Sequence, residues 1–168
     1  MIFVTTGTQA PFDRLIQAVD ESIPFLNGEE VVAQTCQSSY VPNHMTTVDL
    51  MSPADFFEHF NNAKLIIAHA GMGTVLSAMS AAKPLIVMPR LASLREHRND
   101  HQLATVKKLA HMNFGRVVND SKEMKEAIVA MLNGNNHTNF KPISNFASDE
   151  LLKSLSNYIV SPDNSENL

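Results

Sequence analysis

Lys64-Leu65-Ile66-Ile67-Ala68-His69-Ala70-Gly71-Met72-Gly73-Thr74-Val75-Leu76 is the stretch that decides the fold. Its first half is an unbroken apolar run of strand length, as expected for a strand covered on both faces. Its second half passes two glycines and enters Val75, Leu76 and Met79, with Ala78, Ala81 and Ala82 small enough to let a helix lie close to a sheet. A buried strand, a glycine turn and a helix in that order begin a βαβ unit, and such units build parallel sheets.

Upstream the pattern repeats. Ile2 to Thr5 is apolar and leaves through Thr6-Gly7-Thr8-Gln9 into a helix whose Phe12, Leu15, Ile16, Val19 and Ile23 share one face, with Pro11 suited to the first turn. Glu30 to Thr35 and Thr46 to Leu50 read as strands around a polar, Pro-containing loop. Ser52-Pro53-Ala54-Asp55 supplies a capping serine, a first-turn proline and an acid, so a helix begins there and is expected to bury Phe56, Phe57 and Phe60. Downstream, Pro84 to Pro89 reads as a strand, Asn99 to Leu109 as a helix and Gly115 to Val118 as a strand. Asp120-Ser121-Lys122-Glu123 forms a capping box for a helix to Leu132. The sum is an α/β, doubly wound, mainly parallel, Rossmann-like domain over residues 1–133. A linker over 134–147, a C-terminal helix over 148–160 with Leu151, Leu152, Leu155, Tyr158 and Ile159 on one face, and a polar tail over 161–168 follow.

Composition narrows the function. The 168 residues fit one domain, since domains cluster near roughly 100–150 residues. A formal net charge of −4 argues against a general electrostatic grip on nucleic acid or anionic lipid, so no nucleic-acid partner is expected. One cysteine, Cys36, excludes an internal disulfide and suits a reducing, cytoplasmic setting. No apolar run approaches the roughly 20 residues that span a bilayer, and Ile2-Phe3-Val4 opens no signal pattern, so direct membrane insertion is not expected. The Asn136-His137-Thr138 sequon reads as chance.

In open parallel sheets ligands bind beyond the carboxyl ends of the strands, and three loops have that address. In the first, Gly7 leaves room for backbone approach and the hydroxyls of Thr6 and Thr8 can bond a phosphate, although a glycine there also serves as a plain turn. In the second, His69 to Thr74, the unpaired N–H groups and dipole of a helix start favour an anion, with Gly71 and Gly73 admitting a diphosphate. His69 is either part of that site or a structural histidine at the strand end. The third, Arg90 to Gln102, is dense in donors and acceptors, as sugar hydroxyls require, or else is a solvated loop. His97 and His101 stand four apart, but no third ligand is spaced to complete a metal site, so neither metal nor cofactor is expected.

Taken in order, the three loops resemble the C-terminal, donor-binding domain of glycosyltransferase family 28. The resemblance extends to its small standalone forms, the PssE-like subunits of bacterial exopolysaccharide transferases and the catalytic subunit of the dolichol-linked N-acetylglucosaminyltransferase. The likeness runs from Met1 to Leu132 and is carried by Ile2-Phe3-Val4-Thr5-Thr6-Gly7-Thr8 with Phe12 to Ile16, by His69 to Thr74 with Lys83-Pro84, and by Glu96 to Gln102. It implies one half of a GT-B architecture binding a UDP-sugar as donor substrate. It further implies inverting transfer of a hexose or N-acetylhexosamine to a lipid-linked acceptor, in exopolysaccharide or lipid-linked oligosaccharide synthesis. A membrane-associated subunit would hold the acceptor and recruit this chain to the inner face of the membrane. By the same resemblance Gly7 and Thr8 border the diphosphate and the backbone at Met51 meets the uracil. Gly71, Gly73 and Thr74 form the phosphate turn beside His69, His101 and Gln102 address the sugar, and Glu96 and Asp100 neighbour that site. Ser77 stands where many relatives carry a glutamate that binds both ribose hydroxyls. No residue reads as a general base, so the catalytic residues are unassigned and a partner would supply the base. A nucleotide-sugar epimerase needs both GT-B halves, which this length disfavours. A non-catalytic nucleotide- or flavin-binding module is the alternative.

Overall fold

A computed structural model describes residues 1–134, 143 and 146–160. Most of the expected linker (135–142 and 144–145), the Asn136 sequon and the tail over 161–168 lie outside the described residues. Six strands, β1 (Ile2–Thr5), β2 (Val31–Gln34), β3 (Thr46–Val48), β4 (Leu65–His69), β5 (Leu85–Met88) and β6 (Arg116–Val117), alternate with helices α1 (Asp13–Asp20), α2 (Pro53–Asn62), α3 (Met72–Ser80), α4 (His101–His111) and α5 (Ser121–Leu132). A terminal α6 covers Asp149–Val160. The sheet order is β3-β2-β1-β4-β5-β6, and all five neighbouring pairs are parallel, where the sequence predicted a mainly parallel sheet.

Strand alternation divides the core in two. Ile2, Val4, Val31, Ala33, Ile67, Ile86 and Met88 face α1 and α5, meeting Leu15, Ile16, Val19, Met124 and Ile128. Phe3, Val32, Ile66, Ala68, Leu85 and Val87 face the other side, meeting Phe60, Val75, Met79, Val106 and Leu109 of α2, α3 and α4. Burying such a side chain is worth about 1.5–3 kcal/mol, so strands with both faces covered hold the fold together.

The caps follow the sequence in part. Ser52 Oγ accepts from the Asp55 N–H at 3.2 Å at the start of α2. Asp120 accepts from the Glu123 N–H at 2.8 Å, but Glu123 reaches back to the Asn119 N–H at 2.7 Å, one residue beyond the expected box. Phe57, expected inside, is 53% exposed. Helical spacing puts Phe56 and Phe60 toward the sheet and rotates their neighbour outward. α1 stops at Asp20, leaving Ile23 in a short 3-10 turn, β3 ends at Val48 short of Leu50, and α4 starts at His101, after Asn99. The apolar side chains of α6, Leu151, Leu152, Leu155, Tyr158 and Ile159, are all exposed. No helix among the described residues is long and apolar enough to cross a membrane.

The loop between β2 and β3 is tied to α1 by two aspartates. Buried Asp20 accepts from Tyr40 Oη at 3.0 Å and from the N–H groups of Asn43 (3.1 Å) and His44 (2.8 Å). Asp13 accepts from Ser38 Oγ at 2.6 Å and from the Ser39 N–H at 3.1 Å. Burial pushes both carboxyls up, and the hydrogen bonds outweigh it, holding both below the usual range.

Candidate functional site

The strand order reverses between β1 and β4, and the carboxyl ends of these strands flank a cleft of about 780 Å³. One wall is the Thr6–Pro11 loop, the opposite wall is the start of α3, and the 90–102 segment closes the third side. Gly7, Thr8, His69, Gly71, Gly73, Thr74, Ser77, Glu96 and Gln102 all line it. Met51, Asp100 and His101 do not. Met51 is buried beside it, with its N–H given to Gln34 Oε1 at 3.0 Å. Asp100 accepts from the Ala92 N–H at 2.9 Å, and exposed His101 heads α4. His97 lies before that helix, its Nδ1 3.1 Å from Asn99 Oδ1, so the two histidines do not share a helical face. Among the described residues no group of three His, Cys, Asp or Glu could hold a metal.

α3 begins without a side-chain cap, because its N-cap residue is Gly71. The N–H groups of Met72, Gly73 and Thr74 therefore carry the positive end of the helix dipole at the cleft wall. A Cβ at Gly73 would meet nothing within 4 Å. Gly71 and Gly7 have another task. A Cβ at Gly71 would overlap His69 Nε2 and stand 2.8 Å from Cε1, and one at Gly7 would stand 2.7 Å from Cε1. The two glycines make room for the His69 ring, and Gly7 also has φ +84°, a conformation glycine adopts without strain. Burial, with the nearby Arg90 charge, pushes the His69 imidazole down to about 4, so the ring is neutral at pH 7. The Thr5 backbone favours its protonated form, and buried Nδ1 has no hydrogen-bond partner among the described residues.

Glu96 is spent on structure. Arg14 grips both its oxygens, Nε to Oε1 at 2.6 Å and Nη2 to Oε2 at 2.8 Å, and Oε2 also accepts from the Leu91 N–H at 2.9 Å. Glu96 is the one carboxylate among the described lining residues, so the cleft presents no unpaired negative charge. Gln102 Oε1 accepts from the Arg90 N–H at 3.0 Å, and its Nε2 has no partner among the described residues.

Sequence reasoning missed Gln34 and read Arg90 only as part of a ligand-facing loop. Both are buried at the end of apolar strands, 1% and 3% exposed. A long polar side chain following a buried run must find partners inside, and that is the signal that could have found them.

Fold and cleft together define a doubly wound α/β domain with a cleft at its topological switch point, one wall of which is an uncapped helix start. The chain belongs to the glycosyltransferase family 28 C-terminal domain family, whose model matches residues 1–156. It is 31% identical over 118 residues to the human UDP-N-acetylglucosamine transferase subunit ALG13, a match spanning 64% of this chain but only 10% of that protein. The NMR structure of ALG13 superposes with a TM-score of 0.55 at 18% identity, covering 92% of this chain and 93% of that one. A UDP-N-acetylglucosamine 2-epimerase from Listeria monocytogenes superposes with a TM-score of 0.63 at 10% identity, covering 94% of this chain and 45% of the larger one. The fold is thus shared with nearly all of the first structure and with a part of the second, larger chain.

Proposed function

We propose that this chain is the UDP-sugar-binding subunit of a glycosyltransferase, moving a hexose or N-acetylhexosamine with inversion to a lipid-linked acceptor held by a membrane-associated partner subunit on the cytoplasmic face. The observation that carries this reading is the uncapped first turn of α3, facing the glycine loop across a cleft with no unpaired carboxylate. As the anomeric bond breaks, negative charge develops on the departing diphosphate. Main-chain N–H groups at Met72, Gly73 and Thr74 are fixed in advance to receive it. His69 stays neutral and adds no charge of its own. The Nε2 donors of Gln102 address a sugar hydroxyl, and the Ser77 hydroxyl offers the ribose a single polar group. The acceptor hydroxyl attacks from the face opposite the diphosphate, and its proton goes to a base on the partner.

Calorimetry with UDP, UDP-sugars, FMN and NAD tests the proposal. UDP and one UDP-sugar are expected to bind, while absence of UDP binding or tight FMN binding overturns it. Gly73→Asp is the informative variant, because Gly71→Asp would collide with His69 whatever the ligand. At Gly73 a side chain meets open space and an acid suits a helix start, so the fold should survive. UDP affinity should nevertheless fall at least tenfold, about 1.4 kcal/mol of lost interaction.

A further inference from the structure

Four carbonyls of the Thr6–Pro11 loop, those of Thr6, Gly7, Ala10 and Pro11, are held by two buried side chains. Arg90 Nη2 donates to Thr6 O at 2.8 Å and to Ala10 O at 2.7 Å, and its Nη1 donates to Pro11 O at 2.5 Å. The same guanidinium lies 4.7 Å from the centre of the Phe12 ring. Gln34 Nε2 donates to Gly7 O at 3.0 Å, while its Oε1 takes the Met51 N–H. No backbone N–H of residues 7–11 reaches a backbone carbonyl among the described residues. Gly7 N–H goes to Thr5 Oγ1 at 3.1 Å, and Pro11 has none. The N–H groups of Thr8, Gln9 and Ala10, at residues that line the cleft, have no hydrogen-bond partner among the described residues.

In a trans peptide the C=O and the following N–H point in opposite directions. Tying Gly7 O to Gln34 therefore aims the Thr8 N–H away from Gln34. Tying Thr6 O and Ala10 O to Arg90 fixes both ends of the same segment. We infer that Gln34 and Arg90 are the positioning residues of this cleft: buried clamps that turn the loop's carbonyls inward so that its free N–H groups form a second donor set for a phosphate, opposite α3. The inference rests on the nucleotide-sugar reading above. Gln34 adds a coupling, because one carboxamide holds both this loop and the chain at Met51.

The test uses the whole 15N-labelled chain titrated with UDP and, separately, with uridine. In the wild type the Thr8 and Gln9 amide resonances should move with UDP and stay still with uridine. Gln34→Met and Arg90→Lys should fold with unchanged resonances far from the cleft, bind UDP about tenfold to a hundredfold more weakly, and lose the Thr8 amide response. Gln34→Glu keeps an acceptor for Met51 but lacks the amide donor, so it should weaken UDP while sparing uridine. This split is one that general destabilisation would not produce. Two of these variants retain side chains of similar reach, so the test survives if Gln34→Met fails to fold. Wild-type affinity and an intact Thr8 response in the folded variants would overturn the clamp. A wild-type chain that ignores UDP would instead overturn the functional reading.

Discussion

Alanine at Gly71 should be destabilising only because of His69, and the effect can be isolated. Gly71 has φ −83° and ψ 134°, ordinary values for any L-residue, so its backbone sets no penalty. The penalty is steric: the new Cβ overlaps Nε2 and lies 2.8 Å from Cε1 and 2.9 Å from Cδ2, where carbon contacts prefer roughly 3.5–4.0 Å. The ring is buried, so Gly71→Ala is an overpacking change costing about 1–3 kcal/mol. For a domain of this size that lowers Tm by about 3–9 °C. In a His69→Ala background the ring is gone, and restriction of the unfolded chain, about 0.4–1 kcal/mol, offsets the comparable cost of losing a glycine N-cap, so the same substitution should be close to neutral. Urea unfolding of the wild type, both single variants and the double variant gives the coupling energy directly. Gly7→Ala should split its loss, because its Cβ also stands 2.7 Å from His69 Cε1 and only that part should vanish with the ring. Its φ of +84° imposes about 1–2 kcal/mol of strain on alanine whether or not His69 is present. Equal losses for Gly71→Ala in both backgrounds would refute the wedge between the two glycines.

His69 also sets a pH dependence. Its folded value near 4 lies below the unfolded 6.5, so the unfolded chain takes up a proton that the folded chain refuses, and the ring's contribution is whole above 6.5 and lost as pH falls toward 4. The loss amounts to about 3 kcal/mol, and a His69→Asn variant should show a flatter stability profile over that window in unfolding measured from pH 7 to 4. Glu96→Gln keeps the shape of the loop but weakens the bidentate grip of Arg14, and should cost about 1–2 kcal/mol by chemical denaturation. Unchanged stability combined with lost nucleotide-sugar affinity would instead make Glu96 a ligand contact.

The strands were legible because a buried parallel strand is nearly pure apolar sequence, as Leu65–His69 and Leu85–Met88 are. The start of α2 was legible because Ser52 and Pro53 encode a cap locally. The polar contents of the cleft were harder. A sequence shows that Glu96 and Arg90 can bond but not to what, and their partners Arg14 and Thr6 stand 82 and 84 residues away. Reading both as facing a ligand was natural because solvent-side chemistry is the default for charge. Gly7 and Gly71 were recognised as places where a Cβ is unwelcome, but their nearest neighbour is the chain's own histidine. Met51 was placed by resemblance, and Asp100 and His101 by resemblance and by the polar density of the 90–102 loop; none of the three lines the cleft.

The position of β1 has a kinetic side. Both its neighbours, β2 and β4, follow it in the chain, and Ile2 aligns with Leu65 only after α1, β2, β3 and α2 have been spanned. Among the described residues every strand pair is parallel and none is a hairpin, so each pairing closes a long loop before any contact compensates the lost entropy. Refolding should accordingly be slow for a chain of this length, with the unpaired apolar edge of β1 exposed to other chains in the interval, and low protein concentration should raise the yield.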